Sequence, residues 1–326
     1  MIRGPTTPSP THHWWDRRAA TIGIVHKAIA VEPDCWRKVD LVAAVESAGT
    51  TVVPIEDATA LIWADPQNPE ALPAILHDNI DWVQLPYAGI DPFLHLLDND
   101  RLWTCGKGVY ARPVAEAALA MLLAGFRNIV GYARETSWAT PEGQNLHGAN
   151  VVVLGAGGIT EELLPLLAPF GCEITVLRRS ATPFPGADAT YSLDRLHETL
   201  PNADAVILAL ALTEQTAGVI GAAELQRMKS SAWIVNVARG GHIDTDALVT
   251  ALQSNQIAGA ALDVTDPEPL PDGHVLWTLP NCLITPHVAN TPEMGLKLLA
   301  ERVAHNARAY MAGQDLLGPV DTAAGY

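Results

Sequence analysis

VVVLGAGGIT, residues 151–160, decides the fold. Four β-prone apolar residues running into small ones describe a buried parallel strand handing over to a helix N-terminus. Glycines let the backbone come close to a pyrophosphate, and the amides and dipole of the following helix favour its negative charge. Read alone, such a glycine run is equally an ordinary tight turn. The next apolar run, residues 173–177, ends at Arg178-Arg179-Ser180. That is roughly 20 residues on, where a Rossmann unit normally carries an acid for the ribose 2′-hydroxyl. A basic residue there predicts the 2′-phosphorylated cofactor NADP(H). NAD(H) is the alternative if both arginines are solvated turn residues. Gly155, Gly157, Gly158 and Ile159 are the candidate pyrophosphate residues, and Arg178, Arg179 and Ser180 the candidate 2′-phosphate residues.

Composition bounds the rest. A chain of 326 residues exceeds one ordinary core, so two domains are expected. A hydrophobic content of 48% with 17% charged residues describes a globular protein. The net charge of −16 excludes general attraction to nucleic acid or an anionic membrane. Cys35, Cys105, Cys172 and Cys282 have no C-x-x-C spacing and read as reduced thiols, which fits a cytoplasmic protein with no metal site. The start is rich in Pro and Thr, contains His12-His13-Trp14-Trp15 and lacks the apolar region of a signal peptide, so it reads as an arm. No apolar stretch reaches about 18 residues, so no membrane span is expected.

From Thr21 onward, apolar runs alternate with helical patterns. Residues 22–25, 51–54, 61–63 and 82–85 read as strands and 40–48 as a helix, which implies a parallel sheet reaching to about Arg112. A helix with Pro113 in its first turn follows, and residues 114–130 are apolar on nearly every face. Such a helix lies between layers or at an interface, so a homodimer is expected. Trp138, in the polar stretch after it, either caps a neighbouring subunit's pocket or packs at that interface. Strands resume at 205–210, 233–237, 258–263 and 282–285, and a last helix at 292–311 has the length to pack back on the first sheet. The expected architecture is α/β, with two Rossmann-like/flavodoxin-like parallel-sheet domains and a cleft between them. Residues 1–112 and 289–326 would form a discontinuous substrate (catalytic) domain, and 113–288 a dinucleotide-binding Rossmann domain.

Three landmarks follow the glycine motif at strand ends: Asn236-Val237-Ala238-Arg239-Gly240, Asp263-Val264 with Glu268-Pro269, and Thr285-Pro286-His287. In open α/β sheets the carboxyl ends of strands form the ligand crevice. Singly, an arginine, a glutamate and a histidine are ordinary surface residues; on one sheet edge they fit one mechanism.

In this order and spacing the motifs resemble those of the D-isomer-specific 2-hydroxyacid dehydrogenases, a family that includes glyoxylate/hydroxypyruvate reductases and D-lactate, D-glycerate and phosphoglycerate dehydrogenases. The likeness runs from Thr21 to about Gly313. The resemblance implies an NAD(P)-dependent oxidoreductase of small 2-keto and D-2-hydroxy acids, most simply glyoxylate or hydroxypyruvate. It implies that Arg239 grips the substrate's carboxylate and keto oxygen through its planar fork. His287 would exchange a proton with the carbonyl oxygen, and Glu268 would fix its tautomer. Asp263 would bind the nicotinamide carboxamide, its other reading being a turn organiser. Tyr87-Ala88-Gly89-Ile90 resembles the loop whose amides hold the substrate carboxylate, and is otherwise an ordinary loop. A D-3-phosphoglycerate dehydrogenase is the second reading, and a non-catalytic dinucleotide-sensing protein a third of another class. The chain departs from the pattern at Thr160, in place of the third glycine, where a wider helix–strand gap is expected. Pro165 should kink or shorten the following helix, which also carries Pro169. Little is expected from Ala211, where the family commonly has proline.

Overall fold

The computed structural model describes residues 26–322; the expected strand at 22–25 and the amino-terminal arm lie outside them. The chain divides into two compact units, one combining the segment up to Lys107 with that from Leu296 onward, the other running from Gly108 to Gly295.

The first unit holds four parallel strands in the order β1 (Ile29–Glu32), β2 (Ala60–Trp63), β3 (Trp82–Gln84) and β4 (Leu102–Thr104). Helix α1 (Lys38–Ser47) lies between β1 and β2 in the chain. Residues 51–54, expected as a strand, make only an isolated bridge between Val52 and Ile29. Pro54 has no N–H for the ladder and feeds directly into the 3-10 turn Ile55–Asp57. Trp63, Trp82, Trp103 and Phe93 fill the core. The carboxyl-terminal helix Pro292–Ala312 closes this unit from Leu296 onward. On it, the Tyr310 hydroxyl lies 2.7 Å from Thr59 Oγ1 and 2.8 Å from Asp81 Oδ1, where it donates to the carboxylate. Asn306 Nδ2 donates to Gln84 Oε1 at 2.9 Å.

The second unit is built on seven parallel strands: β5 (Asn150–Leu154), β6 (Glu173–Arg178), β7 (Ala189–Ser192), β8 (Ala205–Leu208), β9 (Trp233–Asn236), β10 (Gly259–Leu262) and β11 (Cys282–Ile284). Their order is β11-β10-β9-β8-β5-β6-β7, so the winding reverses between β5 and β8. Alternate residues of the central strands feed two cores: Val152, Leu154 and Val206 on one face, Val151, Val153 and Ile207 on the other. Continuous apolar runs are what a sheet covered on both faces requires.

The helix expected over 114–130 is two. α2 (Ala111–Phe126) stops short, Asn128 turns left-handed at φ 47°, and α3 (Ile129–Arg134) follows. Asparagine tolerates this conformation better than most residues, so it is a natural break. Much of the apolar surface of α2 is used within its own unit: Ala115, Ala118, Met121, Leu122 and Phe126 are buried, and Val114, Leu119 and Leu123 pack against the same core. Helix α4 (Gly158–Leu167) continues through Pro165, ends two residues later and passes into the 3-10 turn Ala168–Phe170, which holds Pro169. Thr160 is fully buried, and its hydroxyl donates to the Gly155 carbonyl at 2.9 Å, stapling the first turn of α4 to the end of β5. No described helix is long and apolar enough to cross a membrane.

Candidate active site

The carboxyl edge of the seven-stranded sheet gathers the chemistry. Ladder bonds continue past the strand ends, from Gly155 N–H to Leu177 O at 2.7 Å, Ala209 N–H to Leu154 O at 2.8 Å, Asp263 N–H to Asn236 O at 2.9 Å and Thr285 N–H to Leu262 O at 2.9 Å. The glycine turn therefore sits beside the residue preceding Arg178, at the point where the strand order reverses. Ligands of open α/β sheets bind at such a point.

The glycine turn fits a dinucleotide. Gly155 has φ 113°, and a Cβ there would collide with the Ala209 carbonyl oxygen, so only glycine can hold this turn. Gly157 is the N-cap of α4, no side chain caps the helix, and nothing lies within 4 Å of where its Cβ would be. The first-turn amides of Gly158 and Ile159 are thus left to an outside acceptor, which a pyrophosphate supplies. Arg178 lies in register with Ser192 and folds over its own loop, its Nη1 donating to Thr182 O at 3.3 Å and its Cζ 6.0 Å from the Phe184 ring centre. Ser180 Oγ lies 3.3 Å from Thr182 Oγ1. Arg179 and Ser180 are exposed.

Arg239 is carried by a loop that Asn236 builds. The buried Asn236 accepts from Ala238 N–H at 3.0 Å and donates to Arg239 O at 2.9 Å, an Asx-type closure just past β9. Arg239 Nη1 donates to Ala238 O at 2.7 Å. A Cβ on Gly240 would collide with the Thr265 carbonyl oxygen, so the loop bearing Arg239 and the loop leading to Glu268 run back to back.

His287 Nδ1 lies 2.6 Å from Glu268 Oε1. Nδ1 is thereby committed to the glutamate, which leaves Nε2 as the nitrogen for a substrate. The side chains are 52% and 42% exposed, so the pair is open to a ligand from solvent. His287 has φ 52°, uncommon for a non-glycine residue and frequent at functional sites. Asp263 maintains that conformation. It is 2% exposed, and its carboxylate accepts from Thr285 Oγ1 at 2.6 Å, Val288 N–H at 2.9 Å and Ala289 N–H at 3.0 Å. Its own carbonyl accepts from His287 N–H at 2.8 Å. Asp263 therefore organises the turn bearing the histidine. With about four acceptor positions on a carboxylate, one remains for another donor.

Tyr87, Ala88 and Gly89 belong to the first unit, just past β3. Tyr87 O accepts from Gly106 N–H at 2.7 Å, which anchors the loop. Trp138 is fully exposed. All four cysteines are free, and burial pushes the Cys105, Cys172 and Cys282 thiols up, the last to about 12, so these three are poor nucleophiles. Two further residues position the site without any sequence signal for that role. The hydroxyl of Thr285 holds Asp263. His242 is fully buried with Nδ1 3.0 Å from Thr216 O and Nε2 3.2 Å from Leu210 O, and its N–H donates to Arg239 O at 3.3 Å. It braces the loop after β8 against the Arg239 loop. No spacing pattern in the sequence marks it.

A family model described as D-isomer specific 2-hydroxyacid dehydrogenase, NAD binding domain, matches residues 117–289. The chain is 39% identical over 305 residues to the "Uncharacterized protein in proB 3'region" of Corynebacterium melassecola, covering 90% of this chain and 98% of that one. It is 30% identical over 216 residues to a glyoxylate/hydroxypyruvate reductase A of Yersinia enterocolitica, covering 65% and 68%. A D-isomer specific 2-hydroxyacid dehydrogenase from Xanthobacter autotrophicus Py2, solved with NADPH and MES, superposes with a TM-score of 0.80 at 27% identity, over 92% of this chain and 100% of that one.

Proposed function

The chain belongs to the D-isomer specific 2-hydroxyacid dehydrogenase family, and from that premise we propose that it reduces glyoxylate or hydroxypyruvate to the D-2-hydroxy acid with NADPH as the preferred donor. Membership makes it an oxidoreductase that uses a nicotinamide dinucleotide. The observation that carries the reading is the 2.6 Å bond between His287 and Glu268, next to an arginine loop on the same sheet edge. Support for the substrate comes from the reductase in Yersinia enterocolitica, and for the cofactor from Arg178 at the end of β6 and the NADPH-bound relative.

The glycine turn at 155–159 and Arg178 would hold the dinucleotide, which when bound would supply the hydride. Arg239 holds the keto acid's carboxylate and keto oxygen through two parallel N–H bonds, which orients the carbonyl and polarises it. His287 donates its Nε2 proton to the carbonyl oxygen as the hydroxyl forms. Glu268 accepts a hydrogen bond from Nδ1–H, which fixes the tautomer and the orientation of the ring. Asp263 offers its remaining acceptor position to the carboxamide. Residues 87–89 bind the carboxylate through their amides, and the first unit acts as the substrate domain. A cytoplasmic homodimer completes the proposal.

Turnover of NADPH and NADH with glyoxylate, hydroxypyruvate and 3-phosphohydroxypyruvate tests this reading. The expected result is highest kcat/KM for glyoxylate or hydroxypyruvate with NADPH, and a narrowed or inverted cofactor preference in Arg178→Asp. No turnover with any keto acid would leave a binding protein, and preference for the phosphorylated substrate would leave a phosphoglycerate dehydrogenase. Equal kcat/KM for both cofactors, unchanged by Arg178→Asp, would leave the arginine without a role.

A further inference from the structure

Arg37 stands at the amino end of α1, in the first unit, and is only 4% exposed. Its Nε is buried with no hydrogen-bond partner. Among the described residues no carboxylate pairs with it; the nearby Glu32 is taken by Lys38 at 2.9 Å. What faces the guanidinium is aromatic: its Cζ lies 5.3 Å from the ring centres of both Trp36 and Tyr87. A buried cation without an anion is expensive, and the amino end of a helix is the end whose dipole disfavours positive charge. Ring faces recover only part of that cost.

Tyr87 is the first residue of the loop to which the reading above assigns the substrate carboxylate. The amides of Ala88, Gly89 and Ile90 donate to no acceptor among the described residues. A buried guanidinium whose Nε has no partner and a run of N–H groups with no protein acceptor thus adjoin one tyrosine. Both are donors that an anion would satisfy. Planar, forked and always charged, a guanidinium matches a carboxylate.

We propose that Arg37 receives the carboxylate adjacent to the keto group, together with the amides of residues 88–90, and so makes the first unit selective for 2-keto acids over neutral carbonyl compounds. The inference rests on the proposed 2-keto acid reduction and adds a residue that the motifs do not mark. It also fixes a sign. Stability is given up in the free protein to hold a charge ready, so an apolar side chain of similar length should leave the free protein as stable or more so.

The test compares wild type, Arg37→Met and Arg37→Lys. In anion-free buffer Arg37→Met should melt at or above the wild-type temperature. Oxalate, a planar dicarboxylate that accepts no hydride here, should raise the wild-type Tm and fail to raise that of Arg37→Met, with Arg37→Lys between them. The KM for glyoxylate should rise about ten- to hundred-fold in Arg37→Met, by more than kcat falls. A lowered Tm with an unchanged oxalate shift and an unchanged glyoxylate KM would make Arg37 a mere brace for Trp36 and Tyr87 and overturn the proposal. If Arg37→Met does not fold, Arg37→Lys decides, a full wild-type oxalate shift in it being the overturning result. Wild-type protein that reduces no keto acid yet is stabilised by oxalate through Arg37 would sink the enzymatic reading and leave the anion site standing.

Discussion

At the scale of single residues, the geometry separates those that meet a ligand from those that hold them in place. His287 is exposed and has one ring nitrogen committed to Glu268, whereas Asp263 is buried with most of its acceptors taken by the turn it organises. Replacing His287 by Gln should lower kcat/KM about 10²–10⁴-fold while dinucleotide binding, read by fluorescence titration, survives. Glu268→Gln should do less: the imidazole stays but loses the carboxylate that fixes its tautomer, so kcat should fall about tenfold or more while KM changes little. Near-wild-type turnover in His287→Gln, or an unchanged kcat in Glu268→Gln, would break the assignment of acid and partner.

At the scale of elements, the strands buried on both faces were legible because burial demands unbroken apolar runs, as in β5, β8 and β9. The motif residues were legible because they follow those runs. β1, β4 and β7 were missed: all three are short edge strands, β1 running straight into Pro33 and β7 only half-buried, so none carries a long apolar signal. The roles of Asn236, Thr285 and His242 are tertiary and have no period to betray them. Asp204 is another such residue. It receives Asn150 N–H at 2.9 Å and Lys229 Nζ at 2.7 Å, bolting the start of β5 to the turn before β9. Burial alone would raise its carboxyl pKa, but these bonds outweigh burial and hold it below the usual value. A depressed carboxyl stabilises the fold above its unfolded pKa of about 3.9 and loses that contribution as pH falls through the folded value. Asp204→Asn should therefore cost about 1–2 kcal/mol at pH 7, and the difference should shrink below pH ~4. Urea midpoints that differ equally at both pH values would contradict it.

At the scale of the whole molecule, apolar surface remains after α2 has packed: Ile129 is 55% exposed and Trp138 fully so, on neighbouring stretches of chain. Sedimentation at micromolar concentration should show a dimer, and Ile129→Asp with Trp138→Ser should shift it toward monomer. A wild-type monomer would remove the proposed role of this surface. The division of the chain has a further consequence, in time. The first unit is threaded as two pieces, with the entire second unit translated between them. The hydroxyl of Tyr310 cannot reach Thr59 and Asp81 until the last helix has left the ribosome. Growing from its amino end, the chain carries an unfinished four-stranded sheet while the seven-stranded one matures. The part made first is completed last, so the interval before release is when its exposed apolar face most needs a chaperone.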